Sequence, residues 1–203
     1  MAGGPYTLEE IPPDPFELFE GWLAEARATE PPDRADAMAL ATATAGGVPS
    51  ARMVMLRRFD RRGFVFHTNY ESRKGRELAK NPRAGVVFHW HELHRQVIVT
   101  GEVRRLPREE SEAYFDTRPL GHRLSAWASH QDEVISDRSV LERGFTEAAE
   151  RFGEDPPLPD YWGGYLLTPA TMEFWQGRAD RLHDRVRYER TDPDEWRADR
   201  LAP

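Results

Sequence analysis

The sequence predicts an α+β fold with an antiparallel barrel at its core. Strand-like runs dominate both ends of the chain, while helical periodicity concentrates in the middle. Two hairpin signals follow one another, Ala45-Gly46-Gly47 and Asp60-Arg61-Arg62-Gly63, each set between apolar runs. No internal repeat or low-complexity segment interrupts the pattern. A single domain over residues 14–203, preceded by a flexible arm at 1–13, accounts for all three.

Asp14-Pro15-Phe16-Glu17 opens the first helix, with Asp as N-cap, Pro at the first helical position and Glu at the third. Phe16, Phe19, Trp22, Leu23 and Ala26 recur at helical spacing and carry it to about residue 28. Pro31-Pro32-Asp33 breaks the chain. Strands are expected at 37–44, at 49–59 as one long run, and at 64–68. Ser72 caps a helix over Arg73–Lys80 that Asn81-Pro82 ends. Strands follow near 84–91 and 95–105, then helices at 108–117, 120–129 and 137–151. After a Pro156-Pro157-Leu158-Pro159 loop, strands near 163–168, 171–176, 183–190 and 195–201 complete the chain.

Composition excludes several classes. The formal net charge of −7 disfavours a general nucleic-acid binder. No apolar run reaches the roughly 18 residues of a membrane span, and the first residues lack the charged and apolar regions of a signal peptide. With no cysteine there is no disulfide, thiol nucleophile or Cys-based zinc site. A cytoplasmic protein is the expectation. Only Lys74 and Lys80 are lysines, so arginine carries nearly all the positive charge and a single Arg means little.

Several clusters have chemistry to offer. Ser72-Arg73-Lys74 at a helix N-terminus suits a phosphate, though an exposed basic first turn reads the same way. Arg52 and Arg57 bracket an apolar strand, and five residues put them on opposite faces if it is regular. Tyr114 and Arg118 share a helix face. His89-Trp90-His91-Glu92-Leu93-His94 has neither a cysteine nor a His-Glu-x-x-His pattern to support a metal, and none is expected. The richest stretch is Phe174 to Arg185. It reads as a strand end, a turn and a second strand; where the chain is extended, Arg181, His183 and Arg185 share one face, fit for an anion and a proton-transfer step. An Arg-rich solvated edge strand is the competing reading.

These pieces, in this order, resemble the pyridoxamine 5′-phosphate oxidase family. The carrying residues are Arg52–Arg57, Ser72-Arg73-Lys74, Arg95-Gln96-Val97, Tyr114-Phe115 with Arg118-Pro119, Ala126-Trp127 through Gln131, Trp162-Gly163-Gly164, Phe174 through Arg185, and the terminus Asp199-Arg200-Leu201-Ala202-Pro203. The resemblance implies a split β-barrel with peripheral helices, a homodimer, and FMN held at its interface. It implies oxidation of pyridoxamine or pyridoxine 5′-phosphate to pyridoxal 5′-phosphate, with O2 reduced to H2O2. Carried over by position, Arg73 and Lys74 resemble the FMN phosphate clamp. Further FMN contacts would come from Arg52, Met53, Val54, Met55, Leu56, Arg57, His67, Thr68, Gln96, Gln131, Asp132, Trp175 and Arg185. Arg57, Tyr114, Arg118 and His122 would hold the substrate phosphate, with Arg181 and His183 catalytic over the substrate ring. Related flavin oxidases of the phenazine type, or a flavin- or pyridoxal-phosphate-binding protein without turnover, are the alternatives.

The chain departs from the family pattern in places. The usual N-terminal Arg-Arg-x-Tyr segment is missing. Arg57 stands where Lys is common, and His67 where Tyr is. His122 replaces a phosphate-binding Ser and is expected to face the phosphate and make binding pH-sensitive. Asp132 replaces a Ser. A carboxylate there repels a phosphate, so Asp132 is expected to point away or to weaken FMN binding.

Overall fold

The computed structural model describes residues 10–193 and 195–203. In chain order the helices are α1 (Pro15–Thr29), α2 (Pro32–Ala35), α3 (Arg73–Lys80), α4 (Arg108–Asp116), α5 (Leu120–Ala128) and α6 (Ser139–Phe152). The strands are β1 (Ala37–Ala43), β2 (Pro49–Met55), β3 (Arg58–Asp60), β4 (Gly63–Asn69), β5 (Arg83–Trp90), β6 (Arg95–Arg105), β7 (Trp162–Gln176), β8 (Asp184–Asp192) and β9 (Glu195–Arg200). They form one antiparallel sheet in the order β2-β1-β5-β6-β7-β4-β3, with β8 on β7 and β9 on β8.

The sheet is curled. β4 and β5 stand three strand spacings apart, about 14 Å if the sheet were flat. Yet the rings of Phe64 on β4 and Phe88 on β5 lie only 6.1 Å apart. α1 fills the hollow. Phe19 meets Phe59, Phe64 and Phe88 edge-on at 4.9, 4.9 and 5.1 Å, and Trp22, Leu23 and Ala26 are buried beside it. Asp14 accepts a side-chain hydrogen bond from the Phe16 amide, as the sequence predicts. The expected α+β barrel stands.

Four local expectations change. The long strand at 49–59 is two strands. Met55 still pairs with Ala37 of β1, but Arg58 pairs with Val65 of β4, and buried Leu56 marks the exchange of partners. The two strands expected at 163–168 and 171–176 are one. β7 runs through Pro169 because its register with β6 shifts between Thr100 and Gly101. A Cβ on Gly101 would lie 2.0 Å from the Thr168 carbonyl oxygen, so this irregularity needs glycine. The break at Pro31-Pro32 contains the single turn α2. The expected arm at 1–13 is anchored at its end: Ile11 is buried, and the Pro12 carbonyl accepts a hydrogen bond from the Tyr188 hydroxyl at 2.8 Å. Its first nine residues lie outside the described residues.

β7 holds two neighbourhoods apart. Along one edge it follows β6; along the other its first half pairs with β4 and its second half with β8. Gly163 faces Thr68, whereas Trp175, twelve residues on, faces Gln96 on one side and Arg185 on the other. At about 3.3 Å per residue that is roughly 40 Å of strand.

Candidate active site

The first cavity, of about 530 Å³, lies between β2, β4 and the start of α3. Arg52, Met53, Val54, Met55, Arg57, His67, Thr68, Arg73, Lys74, Gln131 and Asp132 all line it. Leu56, expected among them, does not, because its side chain is in the core. Arg52 and Arg57 reach the same cavity despite their five-residue spacing, since the chain leaves β2 after Met55. The Arg57 amide then bonds the Val65 carbonyl at 2.9 Å.

Cations are concentrated at the α3 end. Ser72 caps the helix through the Gly75 amide. A Cβ on Gly75 would lie 2.1 Å from the Tyr70 carbonyl oxygen, which is why α3 can pack this close. Lys74 is buried and donates to Ser72 Oγ and Gln131 Oε1, each at 3.0 Å. Burial lowers its pKa, against the pull of Asp132. Glu77, which the sequence reading did not single out, ties the arginines together. It accepts from Arg73 Nε at 2.9 Å, Ser50 Oγ at 2.6 Å and Thr42 Oγ1, and lies 3.5 Å from Arg52. Burial pushes its carboxyl up, but the bonds from Ser50, Thr42 and Arg73 outweigh that and hold it at about 2. Its i,i+4 spacing from Arg73 was the available signal.

Asp132 does not point away. Its Oδ2 accepts the Arg73 backbone N–H at 2.6 Å, and it lines the cavity.

A second cavity of about 340 Å³ adjoins the first through Arg57, His67, Thr68 and Gln131. Tyr114, Arg118 and Trp162 line its far side. The His67 ring stacks on Tyr114 at 4.0 Å and on Trp162 at 5.4 Å. The Arg118 guanidinium lies 4.5 Å over Trp162. Burial first, then Arg57, Arg118 and Arg58, lower the His67 pKa to about 3, so the ring is neutral. Arg118 Nη1 is buried without a hydrogen-bond partner among the described residues. No carboxylate lines this cavity among the described residues. Two arginines lining carboxylate-free space suit an anion.

His122 is not part of that lining. It is exposed on α5, one turn before Ser125, which shares its helix face and lines the cavity, as does Ser129 just past the helix end. The expectation that His122 faces the phosphate therefore does not hold here.

Gln96, Trp175 and Arg185 lie side by side across β6, β7 and β8, outside both cavities. The shared strand face of Arg181, His183 and Arg185 is overturned, because β8 begins only at Asp184. Residues Ala179–Arg181 form a 3-10 turn in which Asp180 and Arg181 have φ of 58° and 61°. Arg181 is exposed there. His183 packs 4.6 Å from Trp175, and its Nδ1 accepts the Arg178 N–H at 3.1 Å. Arg185 Nε bonds Glu173 at 2.8 Å, an ion pair that raises its pKa. Buried Asp184 anchors the loop through Arg178 at 2.7 Å and Arg200 at 3.1 Å.

Among the described residues no group of three His, Asp or Glu side chains could hold a metal, and no helix is long and apolar enough to cross a membrane.

A curled antiparallel sheet with a cationic cavity at its flank defines a split-barrel protein with room for a phosphorylated ligand. Residues 24–152 match the family described as pyridoxamine 5′-phosphate oxidase, and residues 162–203 match the pyridoxine 5′-phosphate oxidase C-terminal dimerisation region. The chain belongs to the pyridoxamine 5′-phosphate oxidase family. It is 50% identical over 200 residues to a pyridoxine/pyridoxamine 5′-phosphate oxidase of Cupriavidus taiwanensis, covering 98% of this chain and 94% of that one. With the corresponding protein of Burkholderia thailandensis it shares 52% over 196 residues, covering 96% and 91%. Among solved structures, PhzG from Burkholderia lata 383, in complex with tetrahydrophenazine-1-carboxylic acid, superposes with a TM-score of 0.89 at 36% identity, covering 96% and 95%. A pyridoxamine 5′-phosphate oxidase-related, FMN binding protein from Nostoc punctiforme shares the fold, with a TM-score of 0.75 at 18% identity over 95% and 100% of the chains. The dimerisation region supports a homodimer.

The first cavity fits FMN. Arg52, Arg73, buried Lys74 and the start of α3 are the donor set a phosphate needs, and β2 and β4 wall the space beside them.

Proposed function

We propose that this chain oxidises pyridoxamine 5′-phosphate and pyridoxine 5′-phosphate to pyridoxal 5′-phosphate, with FMN as cofactor and O2 as final acceptor. The observation that carries this reading is the anion site made by Arg57 and Arg118 beside Tyr114, adjoining the first cavity and empty of carboxylates among its described lining residues. A phosphorylated substrate satisfies the buried, unpartnered Nη1 of Arg118; an unphosphorylated one leaves it without a partner.

Bound FMN supplies the two-electron acceptor. Everything else falls to side chains. Arg57, Tyr114 and Arg118 hold the phosphate, and the neutral His67 ring walls the passage between the two cavities. His183 acts as a donor. While Nδ1 accepts the Arg178 amide, the proton of the neutral ring sits on Nε2, which then offers a hydrogen bond to the substrate ring. Arg181, exposed in its turn, supplies the cation over that ring. The substrate carbon loses a hydride while its amine or hydroxyl loses a proton. For the amine, water then releases ammonia, and O2 takes up two electrons and two protons as H2O2.

One chain does not bring these parts together: His183, Trp175, Arg185 and Gln96 sit at the far end of β7 from the cavities. A second copy supplies the missing half, in keeping with the C-terminal dimerisation region.

A peroxide-release assay on both vitamers with and without phosphate tests the reading. We expect kcat/KM at least about 100-fold higher for the phosphorylated forms, about 2.7 kcal/mol of phosphate recognition. Equal rates on both forms overturn it. The superposition on PhzG supports a second reading, in which the same arginines hold the carboxylate of a reduced phenazine. Peroxide release from tetrahydrophenazine-1-carboxylic acid, with none from the vitamers, would establish that reading instead.

A further inference from the structure

We propose that Asp132 is a resident anion that competes with the phosphate of FMN for the start of α3 and thereby sets how tightly the cofactor is held. The inference rests on the FMN reading of the first cavity.

That cavity is lined by Arg52, Arg57, Arg73 and Lys74, and among its described lining residues Asp132 is the one carboxylate. Its Oδ2 takes the Arg73 N–H at 2.6 Å. At a helix start the first amides lack partners within the helix, and here Ser72 Oγ already serves Gly75. The Arg73 amide is therefore one of the few left for an outside anion, and at 2.6 Å it is fully engaged. The side chains agree. Buried Lys74 feels the Asp132 charge and reaches Gln131, the residue before it. A phosphate seated among these cations would lie against the carboxylate, so the two anions exclude one another by contact and by charge.

Asp132 is built to leave. It is exposed, so its carboxylate has solvent to turn into. On FMN binding the phosphate takes the Arg73 amide, and the carboxylate turns to solvent. Competition and repulsion act in the same direction: both weaken FMN, and neither touches a flavin that carries no phosphate.

The test is an exchange experiment on the purified holoenzyme. Wild type, Asp132→Asn and Asp132→Ser are dialysed against a fixed mixture of FMN and riboflavin, and the bound ratio is read by chromatography. We expect the preference for FMN over riboflavin to rise about 3- to 10-fold in both variants. An unchanged or reduced preference overturns the proposal. If one variant does not fold, the other decides, since Asn keeps the size and Ser removes it. The cofactor reading fails separately, by a wild-type protein that takes up neither flavin.

Discussion

The imidazole of His67 lies 4.0 Å from the Tyr114 ring, tilted by only 22°, and neither of its nitrogens has a hydrogen-bond partner among the described residues. A neutral ring tolerates that position between Arg57 and Arg118; a charged one does not.

A pH dependence of stability follows. The folded-state pKa of His67 is lowered to about 3, against 6.5 for an ordinary histidine. Below pH 6.5 the unfolded chain takes a proton that the folded chain refuses. The stability this ring confers is thus complete above pH 6.5 and is lost as the pH falls toward 3, reaching up to about 2 kcal/mol by pH 5. Melting temperatures at pH 7.5 and 5.0 should fall further apart in wild type than in His67→Phe. Equal differences would show that His67 titrates normally.

Arg118→Ala should raise KM for a phosphorylated substrate about 10- to 100-fold with a smaller change in kcat, because the lost contact is made before and during reaction alike. Arg118→Lys should recover only part of this, since an ammonium lacks the guanidinium fork and packs less well over Trp162. Steady-state kinetics of the two variants decide it. Full recovery by Lys would mean that charge alone matters.

Glu77→Ala should destabilise the fold by roughly 1–3 kcal/mol, because Thr42, Ser50, Arg52 and Arg73 lose their common acceptor while the two arginines stay partly in water. The acid limb has the opposite origin to that of His67. Glu77 has its carboxyl held at about 2, so its contribution is whole above the ordinary 4.5 and fades as pH drops toward 2. Denaturant unfolding at pH 7 and 3 measures both. A loss under about 1 kcal/mol at pH 7 would reduce Glu77 to a surface contact.

Arg181→Ala and His183→Ala should each lower kcat/KM about 10- to 1,000-fold, or about 1.4–4 kcal/mol, with FMN still bound. Activity and the flavin spectrum of the same preparation separate the two effects. Unimpaired turnover in either variant would leave the 179–183 loop as a surface turn.

Much of this was legible because it is local. α3 has the predicted limits, since Ser72 and Asn81-Pro82 are signals within its own sequence. The break at Leu56 was not legible: Leu56-Arg57 reads as more strand, and only the choice between β1 and β4 as partner ends β2. A turn between β7 and β8 was legible, but not that it takes in Arg181, because Asp180 and Arg181 adopt left-handed backbone without a glycine to announce it. In the site, ordered motifs identified the lining residues, but not that Ser125 and Ser129, rather than His122, reach the cavity. Nor could they reveal that β7 sets the cavity beside Thr68 and the neighbourhood of Trp175 and Arg185 at its opposite ends.

That last feature changes what counts as the unit of inheritance. If each site takes Arg73 from one chain and His183 from the other, two dead alleles can rescue one another. Arg73→Ala and His183→Ala homodimers would both be strongly impaired. Unfolded together and refolded in equal amounts, half the dimers would be mixed, each with one site free of both lesions, and about a quarter of wild-type activity should return. A chain that built its site alone would show no such recovery.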